Sequence, residues 1–212
     1  PGEFSGGVIM LNTKDIPDKN FFSFSAGTSY NATYTFKDFY TYNGGKKDFL
    51  GFDDGTRKMP AGIPDAKTYQ SADNNQKIEY SKQFDNDWNI YKRKNPVMPS
   101  QSYSLSTGWK NKLMGKDMGG IFLLTYNNTS RIQTSIRSDY DNDIEANIKR
   151  QLYGFNDTAY RNSIQSGAIL NMGLKLNDKN KISINNTFNN NADDQTTIRN
   201  GINIEQNQHV KR

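Results

Sequence analysis

Between Phe22 and Phe36 the chain alternates without a break. Even positions carry Phe22, Phe24, Ala26, Thr28, Tyr30, Ala32, Tyr34 and Phe36; odd positions carry Ser23, Ser25, Gly27, Ser29, Asn31, Thr33 and Thr35. Successive strand residues point to opposite sides of a sheet, so a period of two makes one face aromatic and the other small and polar. A strand over 21–36 follows, much longer than the mean of about 5 to 6 residues in soluble proteins. A tilted strand needs about 9 to 11 residues to cross a bilayer, and a membrane barrel accommodates such a strand better than a small sandwich does.

The same pattern recurs. Tyr103, Leu105, Thr107 and Trp109 alternate with Ser102, Ser104, Ser106, Gly108 and Lys110; 121–127 reads as a third strand, with 111–120 as the turn before it. Residues 163–176 and 182–188 form a further pair across Asn177-Asp178-Lys179-Asn180, a tight hairpin turn. Residues 37–100, rich in Gly, Pro, Asn and Asp, read as a long loop, 129–162 as a second, and 189–212 as a tail with a further strand at 198–204. Connections then run very long, short, long, short, long, the asymmetry of an outer-membrane barrel with brief inner turns and extended outer loops.

Composition excludes several classes. An apolar fraction of 33% and a mean hydropathy of -0.89 are a poor supply for a large dry core, while 12% aromatic residues in periodic array argue against disorder. There is no cysteine, and His209 is the single histidine, so thiol or imidazole metal sites and histidine catalysis have almost nothing to draw on. No acid/base or nucleophile constellation stands out, so the chain is expected not to be an enzyme and to need no cofactor. No apolar run reaches the 18 or more residues of a membrane helix. The net charge of +5 is interleaved with Asp and carries no nucleic-acid motif, so nucleic acid is not an expected partner.

Preceding the first long strand is Gly6-Gly7-Val8-Ile9-Met10-Leu11-Asn12-Thr13-Lys14, closed by Asp15-Ile16-Pro17. It resembles the signature that ends the plug domain of TonB-dependent outer-membrane receptors. Asp48-Phe49-Leu50-Gly51-Phe52-Asp53-Asp54-Gly55-Thr56-Arg57 is similar to a segment of the first external loop in the subgroup whose plug follows a carboxypeptidase-like regulatory domain. The resemblance implies an all-β fold, an antiparallel transmembrane β-barrel portion of about five strands with the last strand of the plug. Residues 1–14 are then the plug end, 15–20 the linker and 21–212 the first barrel strands with their external loops. Gly6 and Gly7 allow the turn before the plug strand, with Thr13 and Lys14 closing the motif. The family is a Gram-negative outer-membrane transporter. Its implied partners are the inner-membrane TonB complex, acting through the plug, a nutrient ligand such as a siderophore or oligosaccharide, outer-membrane lipid, and a surface lipoprotein. The chain, lacking most of a plug and most of a barrel, is expected to be a fragment. A soluble or surface-attached β-sandwich adhesion or carbohydrate-binding module is the competing expectation.

Candidate ligand contacts lie in the first loop. Asp53, Asp54 and Arg57 could grip a ligand, or simply form a turn; Trp88 and Tyr91, with Tyr69 and Tyr80, could stack on a sugar or chelate. Asp139, Asp141 and Asp143 alternate carboxylates as calcium loops do, but lack the glycine and the final glutamate of an EF-hand.

Overall fold

The computed structural model describes residues 15–84, 89–143, 148–204, 206 and 208–211; the Gly6, Gly7, Thr13 and Lys14 motif and Trp88 lie outside these. The described chain is mostly antiparallel β-sheet. Among the described residues there are eight strands: β1 (Phe21–Ser29), β2 (Tyr40–Thr41), β3 (Tyr91–Lys92), β4 (Ser100–Leu113), β5 (Lys116–Asp143), β6 (Ile148–Lys175), β7 (Lys181–Asn203) and β8 (Gln208–Lys211). Two short helices, α1 (Ala66–Ser71) and α2 (Asn74–Lys82), lie between β2 and β3. One sheet has the order β1-β4-β5-β6-β7-β8, a meander after β4, and β2 pairs with β3 in a separate ribbon. Six strands, not five, thus share the main sheet, and among the described residues its two outer strands, β1 and β8, do not meet.

Several boundaries differ from the sequence expectation. Strand β1 stops at Ser29, although the alternation persists to Phe36. Asn31 is the cause. Its carbonyl accepts from Tyr34 and Thr35, its side chain accepts from the Thr33 N–H, and its own N–H donates to Thr35 Oγ1. That local bonding competes with the ladder and turns the chain, and Phe36 ends it at φ 64°. The expected loop over 129–162 is absent: β5 and β6 each run for 28 residues. The expected tail is likewise the rest of β7 followed by β8. The connections therefore do not alternate long and short; only 30–99 is long. That segment is not structureless either. Asp65 caps α1 through the Lys67 and Thr68 N–H groups, and Asp73 with Gln76 makes a capping box on α2.

The chain divides into two compact units. The first comprises 1–27, 102–127 and 165–190. Its two faces follow residue parity. A Cβ on Gly27 would sit 2.6 Å from Ser102 Oγ, one on Gly120 would meet the Trp109 ring, and one on Gly167 would lie 3.0 Å from both Thr125 Oγ1 and Asn189 Oδ1. These neighbours put Phe22, Phe24, Tyr103, Leu124, Leu170, Met172, Ile182, Ile184 and Phe188 on one face, where the Tyr103 and Tyr126 rings also stack. All nine are exposed, Phe22 by 73% and Ile184 by 59%. The opposite face carries what is buried: Asn171 at 2% and Asp15 at 6%, with Lys181 paired to Asp15 and Ile16 packed over Gly119 and Gly173. The buried hydrophobic side chains of the described chain, Phe39, Val97 and Ile164, all belong to the second unit.

The second unit comprises 28–101, 128–164 and 191–212. Its long insertion is pinned at the root by main-chain bonds: Phe36 N–H to Val97 O, Val97 N–H to Lys37 O, and Arg93 N–H to Phe39 O. Val97 is fully buried there. Phe39 meets Tyr160 edge-on at 5.6 Å, and the Arg93 guanidinium lies over its ring at 4.6 Å.

The β4–β5 connection is a two-residue turn, not the ten-residue one expected over 111–120. Met114 and Gly115 both have positive φ, 51° and 77°, as a type I′ hairpin requires. Gly115 takes that conformation freely. Met114, whose side chain is 94% exposed, has no packing to set against its left-handed backbone, which costs about 1 kcal/mol. Met114→Asn is therefore expected to stabilise the hairpin by roughly 0.5–1 kcal/mol, read as a higher denaturant midpoint at unchanged slope.

Candidate functional site

In the second unit, residues 42–57 fold into a tight polar knot. A short 3-10 turn, Asp48–Leu50, ends at Gly51, whose φ of 79° provides its left-handed cap. Asp54 does the work of a turn residue: its carboxylate accepts from the Lys46 N–H and from both the N–H and hydroxyl of Thr56. Those bonds hold its carboxyl below the ordinary aspartate range, the Thr56 hydroxyl contributing most. Arg57 is the hub. It donates to both oxygens of Asp48, at 2.8 and 2.5 Å, and more loosely to Asp53 at 3.5 Å. Its Nε also reaches the Tyr42 hydroxyl at 3.3 Å. The planar fork matches a carboxylate in this bidentate way, and the Asp48 bonds are the main reason its proton is held more tightly than usual.

Tyr42 passes the chain of bonds on to Asp194 of β7. Burial, with a smaller contribution from Asp194, raises the Tyr42 phenol above its ordinary value against the opposing pull of Arg57. Asp194 is itself raised, above all by burial, and its Oδ1 is shielded from solvent with no hydrogen-bond donor. Around this relay lies a concavity of about 320 Å³, lined by Phe52, Asp53, Asn162 and Asp193 as well as the relay itself. Its polar groups are mainly carboxylates and a side-chain amide, with one guanidinium already engaged, and they are set among apolar residues that include Phe52 and Ile164. Such a surface offers acceptors to a hydroxyl-bearing or cationic guest.

The expected contacts are thus only partly brought together. Arg57 and Asp53 line the concavity, Asp54 is spent on the turn, and Tyr91 sits on β3 paired with Thr41, away from the lining. Tyr69 and Tyr80 pack on each other at 5.9 Å, tying α1 to α2. Asp139 and Asp141 lie along extended β5, where Asp141 is 3.6 Å from Arg150, and the side chain of Asp143 is outside the described residues. No group of three or more His, Asp or Glu among the described residues is arranged to hold a metal ion. Tyr42, Asp48 and Asp194 complete the site, though the sequence alone marks none of them as a contact. Asp48 stands in the quoted loop motif, whereas Asp194 lies in a polar stretch with no signal that links it to residue 42.

Comparisons of the chain with family models, with curated proteins and with solved structures found no match. The site must therefore be read from its own chemistry.

A carboxyl whose folded-state pKa is raised binds more protons folded than unfolded. Its stabilising contribution is complete below the ordinary aspartate range and is lost as pH rises through the raised value. Asp194→Asn keeps an acceptor for the Tyr42 hydroxyl and removes the buried charge. Thermal melts of the variant should fall off less than those of the parent as pH rises above about 4, the ordinary aspartate value.

Proposed function

We propose that this chain contributes a stretch of wall and the adjoining external portion of a TonB-dependent β-barrel that imports a nutrient across the outer membrane of a Gram-negative cell. The support is the inverted burial of the first unit. A water-soluble sheet turns its large apolar side chains inward; here Phe22, Phe24, Leu124, Ile182, Ile184 and Phe188 are outward, and Asn171 and Asp15 are inward. Contiguous apolar exposure on this scale marks a surface made to meet something other than water. Strand lengths agree. Within the first unit the strands cover 102–113, 116–127, 165–175 and 181–190, each close to the 9 to 11 or so tilted residues that cross a bilayer. A sheet that closes with further strands leaves no unpaired edge in lipid.

In this reading lipid meets the face that carries Phe22, Tyr103, Leu124, Leu170 and Ile184, and the polar face with the Asp15-Ile16-Pro17 segment turns toward the lumen and its plug. The short turns, Met114-Gly115 and 176–180, belong to the same unit, as inner-side turns of a barrel do. In this reading the second unit, whose sheet is laced by polar cross-strand pairs, is the external portion that meets water. The acceptor-rich concavity around Arg57, Tyr42 and Asp194 then faces the medium, where a hydroxylated nutrient such as an oligosaccharide arrives. Transport itself follows when the TonB complex pulls the plug and opens a path for the bound substrate.

Charge placement tests the reading. In lipid vesicles, Ile184→Arg should lower stability to urea by about 2–4 kcal/mol, as expected for a cation near the bilayer midplane, while Thr187→Arg on the opposite face costs far less. Equal costs for the two, or a chain that stays monodisperse in water without detergent, would favour the surface-attached β-sandwich module instead.

A further inference from the structure

On the odd-numbered face of β5, β6 and β7 in the second unit lies a trough of about 520 Å³ whose polar lining the transport reading does not use. Its floor is small: Ser135, Ala159 and Thr197, one from each strand. The cross-strand bonds set the rims. Arg199 faces Asp157 on one side of Ala159, and Arg161 faces Gln195 on the other. With i and i+4 on one strand, the two rims stand about 13 Å apart at the backbone.

The charges on the rims do not balance. Three arginines line the trough against one carboxylate. Asp157, only 6% exposed, is occupied by both Nε and an amino group of Arg199, at 2.8 and 2.7 Å, and is held ionised by that bidentate pair. Arg137 approaches the same carboxylate only to 3.9 Å, with its side chain 57% exposed. Arg161 places Nε and an amino group on the neutral Gln195 Oε1, at 3.0 and 2.6 Å. Beyond that rim, Asp193 accepts from the Ser163 hydroxyl. Two guanidiniums, one on each rim, thus flank a small-residue floor with charge to spare, and both side chains can reach over Ala159 between them.

We propose that this trough is a binding site for an anionic group, a carboxylate, phosphate or sulfate carried on a small polar ligand, clasped between Arg161 and Arg137 above Ala159. Arginine suits this role because its fork bonds two oxygens of one planar or tetrahedral anion. Asp157 and Arg199 form the fixed wall, the carboxylate holding Arg199 in place and keeping it from collapsing across the floor. Gln195 positions Arg161 without neutralising it. The proposal is independent of the membrane reading, since it needs only the second-unit sheet.

Glucuronate, inorganic phosphate and sulfate, each added alone to the full chain at physiological ionic strength, test it, with glucose as the uncharged control. At least one anion should shift the Arg161 and Arg137 Nε–Hε NMR resonances saturably while glucose shifts neither. The strongest of the three distinguishes an acidic sugar from a phosphorylated or sulfated ligand. Arg161→Gln should weaken that binding by about tenfold or more, the loss of a hydrogen bond to a charged group, and Arg161→Lys by less. Ala159→Glu, which places a carboxylate on the floor, should abolish it. The proposal is overturned if none of the three anions saturates, or if Arg161→Gln and Ala159→Glu both bind as the parent does.

Discussion

A β-ladder sends neighbouring side chains to opposite faces, and everything in the first unit follows from which face received the apolar ones. Hydrogen bonding between strands fixes the pleat, so a sequence that alternates Ile182, Ser183, Ile184 and Asn185 cannot bury its aliphatics without exposing its polar groups, or the reverse. Here the aliphatics are outside. The inner face is packed with glycines, Asn171 and the Asp15-Ile16-Pro17 segment, whose Ile16 lies over Gly119 and Gly173 because neither carries a Cβ. Burial of apolar surface from water, the usual driving force for folding, is therefore nearly missing from this unit as it stands. In the proposed reading, the lipid around the sheet supplies it.

The second unit is held by different means. Its sheet carries few apolar residues and is laced instead by cross-strand polar pairs: Ser130 with Asn162, Asp157 with Arg199, Arg161 with Gln195, Ser163 with Asp193. Its hydrophobic contacts gather where the insertion is anchored, around Phe39, Val97 and Tyr160. The same insertion then delivers Arg57 and Tyr42 to Asp194. One anchored loop thereby creates a site from residues some 150 positions apart in sequence, and the polar lattice beside it leaves guanidiniums that its own carboxylates do not satisfy.

The alternating strands were legible because apolar periodicity marks them, and the turn over 177–180 because Asn177 bonds the Lys179 and Asn180 N–H groups as an Asn turn does. What escaped was structure that periodicity does not mark. Residues 129–162 look like loop because charged and polar residues dilute their few apolar ones, such as Ile132 and Ile136, yet cross-strand hydrogen bonds extend them as strands. Conversely, 30–36 keeps the alternation of a strand and turns, because a single asparagine bonds its own backbone. The helices α1 and α2 carried their caps, Asp65 and Asp73 with Gln76, but no apolar stripe, since none of their residues is buried. Arg57 and Asp53 were legible as a charged loop motif. Their partner Asp194 was not, because nothing local ties a β7 residue to a loop in the first quarter of the chain.

The absence of cysteine makes one measurement unusually clean. Single cysteines at 182 through 189, spin-labelled on the chain in lipid vesicles, report in turn on access by oxygen, which partitions into the bilayer, and by a water-soluble nickel complex. The account predicts a period of two, with oxygen favoured at 182, 184, 186 and 188 and the nickel complex at 183, 185, 187 and 189. Equal access of the nickel complex to both sets would contradict it, for the outward aliphatic face would then be meeting water.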